Sequence, residues 1–581
     1  MTTDQTQISE SKLRERLINA ASADQFFTEI SLLIATDHDL IPKLLTQIHN
    51  EELSDVIAIY AQLKNDKSGP DFFLIRQCFE TALPDFIAPV QSVMSCIRHL
   101  AEQAGQDMMA SSVISKFGEF CKKDPSRLLA ALDIIEASPQ SYGKVLYFVL
   151  QAGSQVDADL YEKHAIRIAT GTNGHLRQFA ITAIGAMRKS NQSKSVEALE
   201  NCCKDESTDV ILGSIISSAI EVSCAYTDPL KSKQLLSIVI NALNKGGPIT
   251  LYAASQAVMF NAQHFAQRIE LLDVVMDRLV ETPPEHAKSI DSVLYALLTH
   301  SCENPALSFL EKFLPKLTND SLTTKLSSTS YHIQSNTLLL SRVITRFLAS
   351  DDTKLGRAAA DLTSRISSEN YEIAADRSEC DFNSDEKVLQ LARKAVGNLF
   401  ATPRTVASFI VSLMDGSSDA VLTELANLLF DPLLLSYPDL AKDLRKSSGR
   451  VRSDRIETAI CKACEAIEEY LSTLRKIPVI PELRPSIRNV ESYNRHQHEV
   501  MSEVFKKAQS QSIFMSIVQR SLILYGTKSV SHQYTSPGTS QRMEIPLKSH
   551  GVTIDYPRME TIDPIGLNYR LMMLKAGRSK S

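Results

Sequence analysis

The stretch LRQFAITAIGAMRKSNQSKSVEALENCCKDESTDV, residues 176–210, decides how this chain is read. Leu176 to Gly185 can be laid over Val210 to Ala219 at an offset of 34 residues. Leu176 then falls on Val210, Ala180 on Ser214, Ile181 on Ile215, Ala183 on Ser217 and Gly185 on Ala219, so large residues meet large and small meet small. Small side chains let paired helices approach closely, and large ones fill the seam between successive pairs. Val196, Leu199, Cys202 and Cys203, between the two copies, supply a return helix.

Outward from that stretch the same periodicity continues. Leu235, Leu236, Val239, Ile240 and Leu243 recur at three and four residues, as do Leu128, Leu129, Leu132 and Ile135, and each set predicts one apolar helix face. Ser22 followed by Gln25, just before Phe26 and Phe27, predicts a reciprocal cap at a helix start. Asp124-Pro125, Ser138-Pro139, Asp228-Pro229 and Thr282-Pro283-Pro284 mark further boundaries. The 581 residues contain only 20 Gly and 22 Pro and few β-branched runs, which excludes a large sandwich or barrel. The pattern outlasts the roughly 250–300 residues that one core supports, so the helices are expected to stack in a row.

On these residues, the segment from Gly174 to Val222 resembles the HEAT repeat family. The resemblance covers about 50 residues and implies an all-α fold, an α-solenoid of antiparallel helix pairs, of a kind most often used as a protein-binding scaffold. At 34 residues the tetratricopeptide repeat competes, but its aromatic and Pro positions are not reproduced. A non-repetitive helical domain is the third reading. Some HEAT-like solenoids excise damaged DNA bases with an acidic residue between aromatic walls; this chain has no Trp and no evident basic aromatic cleft, so no residue is carried over.

The expected organisation is a helical-repeat solenoid over 1–363, an acidic exposed loop or hinge over 364–387, further repeats over 388–475, a Pro-rich connection and long helical segment over 476–526, and an extended basic tail over 527–581. In the long segment Val500, Val504, Phe514, Ile517, Leu522 and Leu524 are candidate buried positions. In the tail, Met543–Leu547 and Val552–Tyr556 are expected to form a β-hairpin across Lys548–Gly551. A lone hairpin is marginal in water, so the tail either lies on its own solenoid end or joins a partner's sheet.

Net charge is −6, but residues 441–581 hold 23 Lys and Arg against 14 Asp and Glu, a balance of +9, which leaves −15 for the rest. Opposed fields favour oriented association with other proteins or between copies of the chain. The densest basic run holds Arg445, Lys446, Arg450, Arg452 and Arg455, and with Ile545 and Ile554 of the tail strands it makes up the candidate partner-binding set. Nucleic acid is the alternative partner, although no aromatics are interleaved with the run.

No chemistry-bearing motif survives scrutiny, and no catalytic residue, cofactor or metal site is predicted. Cys461-Lys-Ala-Cys464 lacks a second CxxC and reads as two partly buried thiols on one helix face. His496 and His498 stand two apart, which points them in different directions on a helix, and HExxH is absent. Gly526-Thr-Lys528-Ser529 lacks the glycine spacing of a phosphate loop. With no transmembrane-length apolar run and a polar start at Met1–Ser11, the chain is expected to be cytoplasmic and not inserted in a membrane.

Overall fold

Asp and Ser residues standing just ahead of proline or an apolar run are what start many of the helices. Asp124 and Asp228 each accept a backbone N–H from two residues on, and the helices Pro125–Ala137 and Pro229–Lys245 follow directly. Ser22 accepts from the Gln25 N–H at 3.2 Å while the Gln25 side chain accepts from the Ala21 N–H at 2.9 Å, so the reciprocal cap forms, reaching one residue further back than expected. The computed structural model of the chain describes residues 10–34, 39–65, 71–105, 112–187, 193–204, 206–225, 228–317, 322–364, 372–380, 382, 384–446, 453–478, 485–510, 528–536, 539–546 and 557–577. Among these the fold is all-α apart from one pair of strands.

By its packing the chain divides into two units, Met1–Asn336 and Thr337–Ser581. In the first, an aromatic cluster of Phe26, Phe27, Tyr60, Phe79 and Phe86 closes the N-terminal helices, and the Tyr60 hydroxyl donates to the Ile75 carbonyl. From residue 146 on, helices alternate between two sets. Leu146–Val156, Gly174–Ala186, Asp209–Ala225, Pro248–Phe265, Ala287–Thr299 and Ser327–Ser335 each touch the next member of their own set. Ala158–Ala169, Ser193–Lys204, Pro229–Lys245, Ile269–Leu279 and Glu303–Phe313 do likewise. Every apolar stripe is thereby covered by helices near it in sequence.

The register within this stack differs from the expected offset by one residue. Asn173 and Thr208 both open their helices by accepting two backbone N–H groups three and four residues on, and they stand 35 apart. At that spacing Leu176, Ala180, Ile181, Ala183, Ile184 and Met187 match Ile211, Ile215, Ile216, Ser218, Ala219 and Val222, all of them buried. At 34, buried Leu176 would match Val210, which is 39% exposed. One residue turns a helix face by about 100°, so the burial pattern discriminates sharply. A similar correction applies to Leu129, which is exposed while Ala131 joins Leu128, Leu132 and Ile135 inside.

In the second unit, Thr337–Ala349, Thr353–Ser364, Asp385–Leu399, Pro403–Met414, Asp419–Leu428 and Asp454–Lys476 again meet near neighbours in sequence. The stretch expected as an exposed acidic loop is, over its described residues 372–376, held between two of these helices, with Ile373 buried. In the tail, β1 (Lys528–Ser536) pairs antiparallel with β2 (Thr539–Pro546), and Met543 stands opposite Ser531. Met543 therefore pairs with a strand that precedes it; Val552–Tyr556, the partner expected from sequence, lies outside the described residues. The helix Pro564–Lys575 returns to lie on Asp385–Leu399, burying Leu567 and Leu574. Phe514, Ile517, Leu522 and Leu524 lie outside the described residues, as do the side chains of Val500 and Val504 in the helix Ile487–Ser510.

Candidate protein-binding surface

The helix Pro248–Phe265 buries Thr250, Leu251, Ala254, Ser255, Ala257 and Val258. Its opposite face carries Ile249, Tyr252 and Phe260, at spacings of three and eleven residues, close to one and three helical turns. Tyr252 is 57% and Phe260 74% exposed, where a helix serving only its own core would carry polar groups. The next two helices of the same set repeat the feature with Tyr295, 43% exposed, and Tyr331, 71% exposed. The Tyr295 ring meets His332 edge-on at 5.7 Å, which ties the aromatic positions of these two helices together.

Carboxylates carried from one helix to the next hold these helices in place. Asp209 accepts the N–H groups of Gly247 at 2.7 Å, Ile249 at 2.9 Å and Thr250 at 3.1 Å, together with the Thr250 hydroxyl. It thus satisfies the free donors at the start of the following helix in its set. Burial works against its charge, but the bonds from Thr250, Ile249 and Gly247 prevail and hold its carboxyl below the ordinary range. Asp291 does the same for Ser328 and Thr329 at 2.9 and 2.8 Å.

Of the residues singled out from sequence, Arg445 forms a bidentate pair with Glu468 at 2.5 and 3.1 Å, and Arg455 pairs with Asp419. Both cations are thus engaged within the chain. Lys446 ends the helix Leu440–Lys446, while Arg450 and Arg452 lie outside the described residues. Ile545 sits in β2 opposite Ser529, and Ile554 lies outside the described residues. The exposed aromatics were missed because a tyrosine or phenylalanine at helical spacing reads equally well as core. Their signal was that Tyr252 and Phe260 fall out of phase with the buried stripe.

Cys464 is buried, with its thiol pushed up by that burial, and Cys461 on the same helix is half-buried. Cys78 and Cys224 are pushed up to about 11 and Cys121 to about 12, again by burial. That direction disfavours the thiolate a nucleophile needs. A cleft of about 390 Å³ lies between Ser193–Lys204 and Pro229–Lys245, lined by Glu200, Lys204, Gln234, Asn241 and Lys245 among others. Lys245 Nζ spends its donors on the Cys203 and Lys204 carbonyls at 3.0 and 2.7 Å, closing the end of a helix. Among the described residues no group of His, Cys, Asp and Glu could hold a metal ion, and no helix is long and apolar enough to cross a membrane. No protein-family model matches the chain, and no curated protein matches it as a relative.

Proposed function

We propose that the chain is a non-enzymatic scaffold or adaptor in the cytoplasm, a HEAT-like α-solenoid that binds other proteins within a larger assembly. The observation that carries this reading is the run of Tyr252, Phe260, Tyr295 and Tyr331 turned to solvent by successive helices of one set. Rings of this kind supply much of the binding energy at protein interfaces and are enriched there. Helices that contact only near neighbours offer a long surface on which such anchors can be spaced.

The test is purification from the native source, with the mass of the particle measured and its components identified. The expected result is a particle heavier than the 64.4 kDa chain, with a stoichiometric companion that is lost from the Tyr252→Ala, Phe260→Ala, Tyr331→Ala variant. A monomer without a companion would sink the reading, and a particle of this chain alone would replace it with a homo-oligomer.

Nucleic acid remains the second reading, resting on the basic C-terminal portion. The ion pairs of Arg445 and Arg455 count against it, because each would have to give up a carboxylate to meet a phosphate. No duplex binding is expected at physiological salt. A salt slope that flattens by roughly 0.9 per lost contact in an Arg450→Ala, Arg452→Ala, Arg455→Ala variant would restore this reading.

A further inference from the structure

Residues 372–376 run between the helices Thr337–Ala349 and Pro403–Met414, and the amides of 373–376 are bound by side-chain hydroxyls rather than by a sheet. The Ile373 N–H donates to Ser408 Oγ at 3.1 Å, and the proton of that hydroxyl is shared between the Ile373 carbonyl at 3.1 Å and the Thr405 carbonyl of its own helix at 3.0 Å. Ala374 N–H donates to Ser341 Oγ at 3.3 Å, Ala375 N–H to Ser412 Oγ at 2.8 Å and Asp376 N–H to Thr345 Oγ1 at 2.9 Å. Successive amides therefore go alternately to the two helices, as the N–H groups of an extended chain alternate sides.

The fit has a simple metric origin. Every second residue of an extended chain recurs after about 6.6 Å, and every fourth residue of a helix after about 6 Å. A hydroxyl one turn after another, Ser341 then Thr345 on one wall and Ser408 then Ser412 on the other, thus meets every second amide. Beyond the ladder, Arg342 Nε binds Glu379 Oε1 at 2.6 Å, with Arg346 at 3.7 Å from its other oxygen. Arg377 pairs with Asp415 at 2.9 Å. Of residues 372–379 only Ile373 is fully buried; Ala374 and Ala375 are half-buried.

We propose that this cleft is a receptor for extended peptide, and that residues 372–379 fill it as a tethered ligand. The partner segment that replaces them has one branched apolar anchor, two small residues directly after it, and a carboxylate six positions after the anchor. Recognition falls on the backbone, on one apolar socket and on the guanidinium groups of Arg342 and Arg346. The segment is held by hydroxyl bonds to its amides, one fully buried side chain and the ion pairs of Arg377 and Glu379, whereas the flanking helices are held by many buried side chains, so it opens before they do. Tethering gives it a high local concentration, so a free peptide competes poorly until the tether is weakened. The cleft and the exposed aromatics of the first unit are tested by different variants, so either can fail alone.

The experiment uses the full chain and a fluorescent synthetic peptide of residues 372–380. In the wild-type protein, amides 373–376 are expected to exchange with solvent faster than those of Thr337–Ala349 and Pro403–Met414. An Ile373→Asp, Glu379→Lys variant is expected to bind the peptide at least about tenfold more tightly than wild type, and adding Ser408→Ala and Ser412→Ala should abolish that gain. Exchange of 373–376 in step with the two helices would overturn the proposal by making the segment an integral part of the core. So would a folded variant that does not bind the peptide, or loss of the fold when the segment is displaced.

Discussion

Gly185 shows how little room separates two successive helices. A Cβ placed there would come within 2.6 Å of the Ser218 Cα, and Ser218 itself is buried, with its hydroxyl donating to the Ile181 carbonyl at 2.7 Å. Gly185→Val must push the two backbones apart, and overpacking of this kind costs about 1–3 kcal/mol. The urea midpoint should fall accordingly, and an unchanged midpoint would show that the contact yields. Glu221 makes a second residue-scale case. Burial raises its carboxyl above the usual range, beside Tyr147, whose hydroxyl is raised by its own burial and by Glu221. The folded state then holds this proton more tightly than the unfolded state, so stability is lost as pH rises from the unfolded value of about 4.3. Glu221→Gln should be more stable than wild type at pH 7, with the gap closing below that value; equal urea midpoints across the range would refute it.

Between elements, polar links as well as apolar faces set which helix follows which. Asp209 is the opposite titration case from Glu221, since its folded carboxyl is lowered by the donors of Gly247, Ile249 and Thr250 despite burial. Its contribution is complete above the unfolded value of about 3.9 and is lost as pH falls through the lower folded value. Asp209→Asn should cost about 1 kcal/mol at pH 7, with wild type converging on the variant in acid; parallel acid-unfolding curves would contradict this. The C-terminal helix offers another test. Gly397 leaves room for the backbone of residues 574 and 575, since a Cβ there would meet the Lys575 nitrogen at 2.5 Å. Gly397→Val should release Pro564–Lys575 and expose the bond after Lys575 to trypsin while the remaining helices stay resistant. Unchanged digestion would mean the helix docks by other contacts.

At the scale of the whole chain, contacts of the helices between residues 146 and 335 reach little further than the next helix of the same set. The inter-helix bonds of Ser195 to Glu162, Arg268 to Ser232, Arg278 to Leu243 and Lys316 to Val280 span 33 to 36 residues. Damage should therefore spread only to neighbours. Hydrogen exchange of Gly185→Val should show loss of protection in Gly174–Ala186, Asp209–Ala225 and their partners, while Asp385–Leu399 keeps its wild-type rate. Uniform loss across all helices would indicate one cooperative core instead.

Helix starts and the all-α class were legible in the sequence, because capping by Asp124 or Asp228 and an apolar stripe such as Leu235, Val239 and Leu243 are decided within a few residues of chain. The offset between the helices that hold Leu176 and Ile211 was not legible: size matching favours 34 residues, and only the burial of Leu176 and Ile211 against the exposure of Val210 points to 35. Residues 372–379 read as a free acidic loop because the hydroxyls that bind their amides lie some 30 residues away on either side, at Ser341, Thr345, Ser408 and Ser412. The same holds for Arg445 and Arg455, whose charge was countable while their carboxylate partners Glu468 and Asp419 were not assignable. Local preference acts through bonds between near residues and is written in the chain; which side chain faces solvent, and which charge is already answered, is settled only when distant helices meet.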